Sequence, residues 1–338
     1  MKKIKEEKRK NYIDFFKGIG IILMIAGHIG FGNIFDQIIH AFNMPIFFVA
    51  SGYCYKTPQK FNQFLTKKIR SLIIPYFFFA TITFIILRKP NGISLEEFKH
   101  IFWINNINTP IAGIWFMTAL LWAIIAYYFI QKIKCYDLQW LVVMLITMSG
   151  MTIRNVWGGV LPWSMESGLV AVFFIHIGNC LQQDDFVEII MRKTKNVYFY
   201  IVMASSSIIS MILILLNGNV NMRTGEYGNI PMFIINSISV SIMILAVSIR
   251  IDANYAECYI YNTIRKIGRN SICFLGLNQV CIVWLEKMLK EYWDINKIYV
   301  KIVMLTLVLM CIGIIVTVCA KLREALKRKI TLKTYKKS

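Results

Sequence analysis

Residues 14–30, DFFKGIGIILMIAGHIG, place an acid, a base and a histidine in an otherwise apolar run. A histidine can take up and release a proton near neutral pH. A neighbouring carboxylate and ammonium can hold one another or order an ion. Read as a helix, Lys17 and His28 are eleven residues apart, so they fall within about 20° of each other and about 16 Å apart along the axis. Asp14 lies one turn below Lys17. One stripe therefore carries Asp14, Lys17, Ile21, Met24 or Ile25, and His28. Ionisable groups inside a membrane span face the bundle interior and mark a pathway or a site. Asp14 and Lys17 also fit a plain structural role: an acid at a helix start, and a lysine that snorkels to the interface. His28 is too deep for either.

Other polar residues fall near the same depth. His40, Asn43 and Ser51 belong to the next apolar segment, and Lys67, Lys68 and Arg70 cluster before the third. That cluster suits either a topology signal or an anionic ligand. Arg154, Asn155, Glu166 and His176 lie around later segments, as do Asn270, Ser271, Asn278 and Gln279. Glu166, in PWSMESG, is expected to be a solvated carboxylate at the outer interface, and His100 a loop residue without chemistry. The eight cysteines form no C-x-x-C pair and sit mostly inside apolar blocks. They read as small buried hydrophobes, so neither a disulfide framework nor a metal site is expected.

The elements that must position these groups are membrane helices. Of the 338 residues, 57% are hydrophobic, and they come in long blocks. The expected fold is an all-α, polytopic membrane helical bundle of about ten transmembrane helices. Candidate spans are 13–33, 37–54, 69–87, 113–131, 138–154, 163–181, 197–216, 229–249, 269–288 and 297–320. The second is short and polar at its start, which suits a tilted or re-entrant segment. With a cytoplasmic N-terminus, inner segments hold 28 Lys and Arg, outer segments and adjoining span ends hold 9, and Lys17 lies within the first span. That asymmetry predicts ten spans with both termini cytoplasmic. It also accounts for the net charge of +20 without nucleic acid, leaving membrane lipid as the partner of the surface lysines and arginines. The division is a basic N-terminus over 1–12, a transmembrane domain over 13–320 and a basic cytoplasmic tail over 321–338. The first helix resembles a signal peptide but lacks a small-residue cleavage site, so it is read as retained. The outer segment 88–112 reads as a loop with one short helix at SLEEFKHIF. No internal repeat is visible, unlike in many transporters.

These motifs resemble a known family. Lys17-x10-His28 is similar to the Arg/Lys-x10-His signature of the membrane-bound acyltransferase-3 family. HAFNMPIFFVASGYCYK resembles that family's second-span motif, closest to its fucose 4-O-acetylase-like branch. KKIRSLIIPY is similar to its third-span start, IWFMTALLWA (with Trp115) to its Trp-Phe motif, and GRNSICFLGLNQ to its late Gly-x-Asn-Ser segment. The motifs run in family order from about residue 10 to 290. The resemblance implies a plasma-membrane enzyme that moves an acyl group, usually acetyl, from cytoplasmic acyl-CoA to a hydroxyl of an extracytoplasmic or lipid-linked glycan. No permanently bound cofactor is implied; acetyl-CoA or another acyl-CoA is a substrate. The family's histidine maps to His28, its basic residue to Lys17, the acid that often precedes them to Asp14 and its third-span arginine to Arg70. Two positions depart from the branch: Asn43 and Asn278 stand where histidines are usual. An asparagine can hydrogen-bond but cannot carry a proton near pH 7.

The mechanism this implies has Lys67, Lys68 or Arg70 holding the donor's phosphates while its acyl arm reaches toward His28. There, His28 acts as general base or acyl relay. His40, Asn43, Ser51, Trp115 and Asn278 are the candidates for the acceptor cavity. Two other readings remain at this point: a non-catalytic export or accessory protein of the same fold, and a small-molecule transporter. The latter would want coupling-ion acids deep in several spans, which the sequence hardly offers.

Overall fold

The break in the second expected span shows how local sequence shapes this bundle. Pro45 has no N–H to donate, and its ring would clash with the carbonyl four residues earlier, that of Ala41. The helix stops there. α2 (Asn33–His40) and α3 (Asn43–Tyr53) are separate helices joined at residues 41–42. The freed Ala41 carbonyl accepts a 2.8 Å bond from the Ser237 hydroxyl of a distant helix, as an unsatisfied backbone group inside a membrane protein requires.

A computed structural model describes residues 10–58, 60–88, 113–157, 161–183, 186–193 and 197–335. Among these residues the secondary structure is helical, apart from one bridge between Asn221 and Glu226. α1 covers Asn11–Ile29. α4 (Phe61–Lys68) passes through a π-helical turn, Ile69–Ile73, into α5 (Ile74–Arg88). Pro75 comes two residues after that turn ends, and the wider turn accommodates a residue that cannot donate. Next come α6 (Trp115–Ile130), α7 (Tyr136–Trp157), a 3-10 turn Pro162–Ser164 and α8 (Met165–Gln183). Then follow α9 (Phe186–Lys193), α10 (Val197–Asn217), α11 (Ile230–Tyr255), α12 (Tyr259–Arg269), α13 (Ser271–Leu289) and α14 (Ile298–Tyr335).

Nine helical stretches among the described residues are long and apolar enough to cross a membrane. The tenth expected span is α6, at 16 residues too short to meet that length. It compensates by burial: Ala119, Ala123 and Tyr127 are fully enclosed, so α6 is the bundle's central helix. α7, α10 and α14 instead expose rows such as Leu141, Leu145 and Met148, or Ile302, Met310 and Ile314. In a bilayer these rows face lipid.

Two small residues set the closest crossing. α1 packs on α12. A Cβ on Gly268 would lie 1.8 Å from the Asp14 carbonyl oxygen, and one on Gly18 would lie 2.1 Å from that of Ile264. Close backbone approach through small residues is how membrane helices associate without a hydrophobic drive between them. α12 itself was not expected as a separate helix; Asn270 divides it from α13. α14 runs on to Tyr335, so the described part of the basic tail is helical. The expected helix at SLEEFKHIF, His100 and the side chains of Arg154 and Asn155 lie outside what is described.

Candidate active site

The helix α1 joins two polar regions about three turns apart. At its start, Asp14 is buried and Lys17 Nζ lies 3.1 Å from its Oδ1. The i, i+3 spacing makes that pair possible. Lys17 lines a cavity of about 610 Å³ whose wall also carries Lys56, Lys60, Lys67 and Lys68. Ser51 borders it as well, its hydroxyl donating to the Phe47 carbonyl at 2.7 Å. Five ammonium groups around one cavity form a site for a polyanion. Tyr55, in the segment after α3, also borders the cavity; burial pushes its phenol up to about 12, so it remains a neutral hydroxyl there.

The expected cluster of Lys67, Lys68 and Arg70 does not act as one patch. Arg70 lines a neighbouring cavity of about 520 Å³ together with Lys67, while Lys68 faces the five-lysine cavity. Helical phase is the reason: residues 68 and 70 point to opposite sides, and residue 67 sits between the two cavities.

At the other end of α1 stands His28. Its Nε2 is buried and has no hydrogen-bond partner among the described residues. Gly30, with φ +78°, closes α1, and Gly113, with φ +73°, lies beside the histidine. Each value lies in the left-handed region that favours glycine. A Cβ at Gly113 would lie 3.9 Å from His28 Nε2 and 3.6 Å from Asn278 Nδ2. Asn278 is fully buried. Its Nδ2 donates to the Phe274 and Leu275 carbonyls at 3.2 and 2.7 Å. Two carbonyl acceptors fix which way the amide points, so Oδ1 is the free end, and it is buried without a partner. His28 Nε2 and the Asn278 amide thus converge on Gly113, and each side chain keeps one buried polar atom without a partner among the described residues.

The surroundings hold α1 in place. The Lys301 ammonium of α14 donates to the Gly30 carbonyl, at the negative end of the helix. Asp36 accepts from the Phe31 and Gly32 amides at 3.1 and 3.4 Å and so closes the turn into α2. The His40 ring packs against Gly27, 3.8 Å from where a Cβ would sit. His40 Nδ1 donates to the Asp36 carbonyl at 2.7 Å, which leaves Nε2 as its free nitrogen. Asn43 is buried at the start of α3, and Trp115 is buried at the start of α6, where its carbonyl accepts from Thr118 at 2.8 Å.

Two residues depart from their sequence reading. Glu166 is buried, not solvated. The turn 217–229 folds over the start of α8, where Ser167 donates to the Met222 carbonyl at 2.7 Å, and shuts out water. The same turn carries Arg223, one of the nine basic residues counted in the outer segments. Its Nε is buried. The signal that could have found it is the density of turn formers around it. Asn217 and Asn221 bind the turn's backbone through the Asn229, Arg223 and Thr224 amides. His176 is a satisfied core histidine: its Nδ1 donates to Tyr127, which donates to Asn179 at 3.0 Å. Among the described residues no group of three His, Cys, Asp or Glu side chains is placed to hold a metal ion.

Searches of curated proteins and of solved structures found no match. A family model described as an acyltransferase domain matches residues 10–322. With nearly the whole chain inside that match, the protein belongs to the membrane-bound acyltransferase-3 family and is an acyltransferase.

Proposed function

We propose that this acyltransferase moves an acyl group, in the first instance acetyl, from acyl-CoA to a hydroxyl of a cell-envelope or exported glycan. The observation that carries the reading is the buried, unpartnered Nε2 of His28 beside Asn278. A sugar hydroxyl has a pKa far above 7, so a base must take its proton as the oxygen attacks the thioester carbon. His28 takes that proton. The new C–O bond forms, the C–S bond breaks, and the imidazolium returns the proton to the departing coenzyme A thiolate. Asn278 cannot take up and release a proton at neutral pH, so His28 serves this role in the gap.

The five-lysine cavity suits the donor's phosphates, with Lys17, Lys67 and Lys68 as contacts and Asp14 ordering Lys17. Arg70 contributes from the adjoining cavity. The acyl-bearing arm then follows α1 from Lys17 to His28, about 16 Å by helical rise. The basic end faces the cytoplasm, where acyl-CoA is made, and the His28 end faces outward in the plasma membrane. The second-span motif supports a reading of the chain as nearest the fucose 4-O-acetylase-like branch.

The test is chemical analysis of envelope glycans for alkali-released acyl groups, with the gene, without it and with His28→Ala. The expected result is loss of one O-linked acyl group in both altered strains while the variant still accumulates in the membrane. Full acylation with His28→Ala would overturn the reading.

A further inference from the structure

We propose that a second cavity, at the His28 end, binds the acyl acceptor and selects neutral or amine-bearing polyols over acidic ones. The inference rests on the acyl-transfer reading above and adds the acceptor's place and chemistry. The cavity, about 350 Å³, lies between α2 and the turn 217–229. That volume falls within the roughly 300–1,000 Å³ typical of small-molecule sites.

Its lining is polar almost throughout. Asn33, Gln37 and Asn219 supply amides, Asp36 and Glu226 carboxylates, and His40 an imidazole. Several of these groups are already fixed by one bond and present the other end. Gln37 Nε2 donates to the Ile214 and Leu215 carbonyls at 2.9 and 3.2 Å, leaving its carbonyl oxygen as an acceptor. Asn221, on the same wall, accepts from the Arg223 and Thr224 amides through Oδ1, leaving Nδ2 as a donor. His40 donates through Nδ1 and keeps Nε2 as an acceptor. Held donors and acceptors in alternation match a polyol, whose hydroxyls each donate and accept.

Charge decides the class. Among the described lining residues there is no Lys or Arg, in a chain of net charge +20, while two carboxylates are present. A uronate or sugar phosphate would meet like charge; an ammonium would meet opposite charge. The contrast with the five-lysine cavity is direct: one end is built for a polyanion, the other against one. Position connects the cavity to the chemistry. His40, on its wall, packs against Gly27, the residue before His28.

The test uses the full-length protein. Asn219 is exposed, so Asn219→Trp can fill the cavity mouth without disturbing the core. The expected result is wild-type coenzyme A affinity and melting temperature with envelope acylation reduced about tenfold or more, the loss of at least 1.4 kcal/mol of acceptor recognition. Undiminished acylation overturns the inference. If Asn219→Trp melts early, Asn33→Ala and Glu226→Gln take its place: both are expected to lower acylation, and wild-type levels in both overturn the proposal. Glycan hydrolysates decide the class. Acyl groups on neutral or amino sugars are expected, and acyl groups confined to uronic acids or phosphorylated sugars overturn it. A wild-type strain whose envelope acylation equals that of the deletion sinks the acyl-transfer reading itself, and this inference with it.

Discussion

His28 Nε2 and Asn278 Nδ2 approach the same point, 3.9 and 3.6 Å from where a side chain on Gly113 would begin. Two helices far apart in sequence, α1 and α13, thereby share one gap closed by the turn before α6. Among the described residues, the histidine brings a nitrogen without a partner and the asparagine a carbonyl oxygen without one. Unsatisfied polar atoms in such a place cost stability unless a ligand completes them. The gap is therefore the place where substitutions should separate folding from transfer.

Gly113→Ala tests the gap by filling it. The left-handed φ of +73° costs an alanine about 1–2 kcal/mol, and the added methyl meets His28 and Asn278 at ordinary contact distance. The protein should fold, with a modest drop in melting temperature. Acyl transfer should fall by about tenfold or more, because in the proposed reaction the methyl stands between His28 and the substrate. Coenzyme A affinity, measured by titration, should not change. Transfer at the wild-type rate would show that this gap is not the reaction site.

Asn278 separates two kinds of loss. Leucine of similar shape removes an orphaned acceptor, and the Phe274 and Leu275 carbonyls keep their helical partners, so the stability cost should stay under about 1 kcal/mol. Aspartate keeps the shape but turns a donor into a charged acceptor facing two carbonyls, which should cost about 3 kcal/mol or more. Thermal unfolding in detergent should rank the wild type near Asn278→Leu, with Asn278→Asp well below. Envelope acylation by Asn278→Leu should drop although the protein remains folded. Equal melting of Asp and Leu variants would mean the amide is not oriented as described.

Coenzyme A binding should respond to salt. Five lysines around one cavity attract phosphates partly through solvent, and that attraction weakens as ionic strength shortens the screening length from about 10 Å at 0.1 M to about 3 Å at 1 M. Lys68→Ala should weaken affinity several-fold at low salt and flatten its salt dependence. Arg70→Ala should do less, since it faces the neighbouring cavity. Isothermal titration across a salt series reads both. An affinity insensitive to salt would argue against phosphates in this cavity.

How much of this was legible in the sequence follows from what each signal encodes. The apolar blocks gave the bundle, since backbone inside lipid has few ways to satisfy itself. The stripe of Asp14, Lys17 and His28 was readable because helical phase is local. Which residues meet that stripe was not: Gly113 and Lys301 reach α1 from distant segments, and no short-range spacing links them. Glu166 was misread for the same reason, because burial there depends on a turn more than fifty residues away. Lys67, Lys68 and Arg70 look like one basic cluster in a line, and only the helix that carries them divides the cluster between two cavities.

The α1–α12 crossing offers the sharpest test of the packing that places Asp14 and Lys17. A Cβ at Gly268 would lie 1.8 Å from the Asp14 carbonyl oxygen and 2.5 Å from the Gly18 amide nitrogen. Both are backbone atoms inside a helix and cannot swing aside as a side-chain end can. Gly268→Ala must therefore push the two helices apart, at a cost of about 3 kcal/mol or more. Gly313, in the interior of α14, has open space around its Cβ position. The same substitution there should leave stability unchanged or raise it by up to about 1 kcal/mol, because alanine favours the helix. Paired melting curves compare one chemical change at two sites. If Gly268→Ala melts with the wild type, α1 does not sit against α12 this closely, and the position of the Asp14–Lys17 pair beside the five-lysine cavity would have to be redrawn.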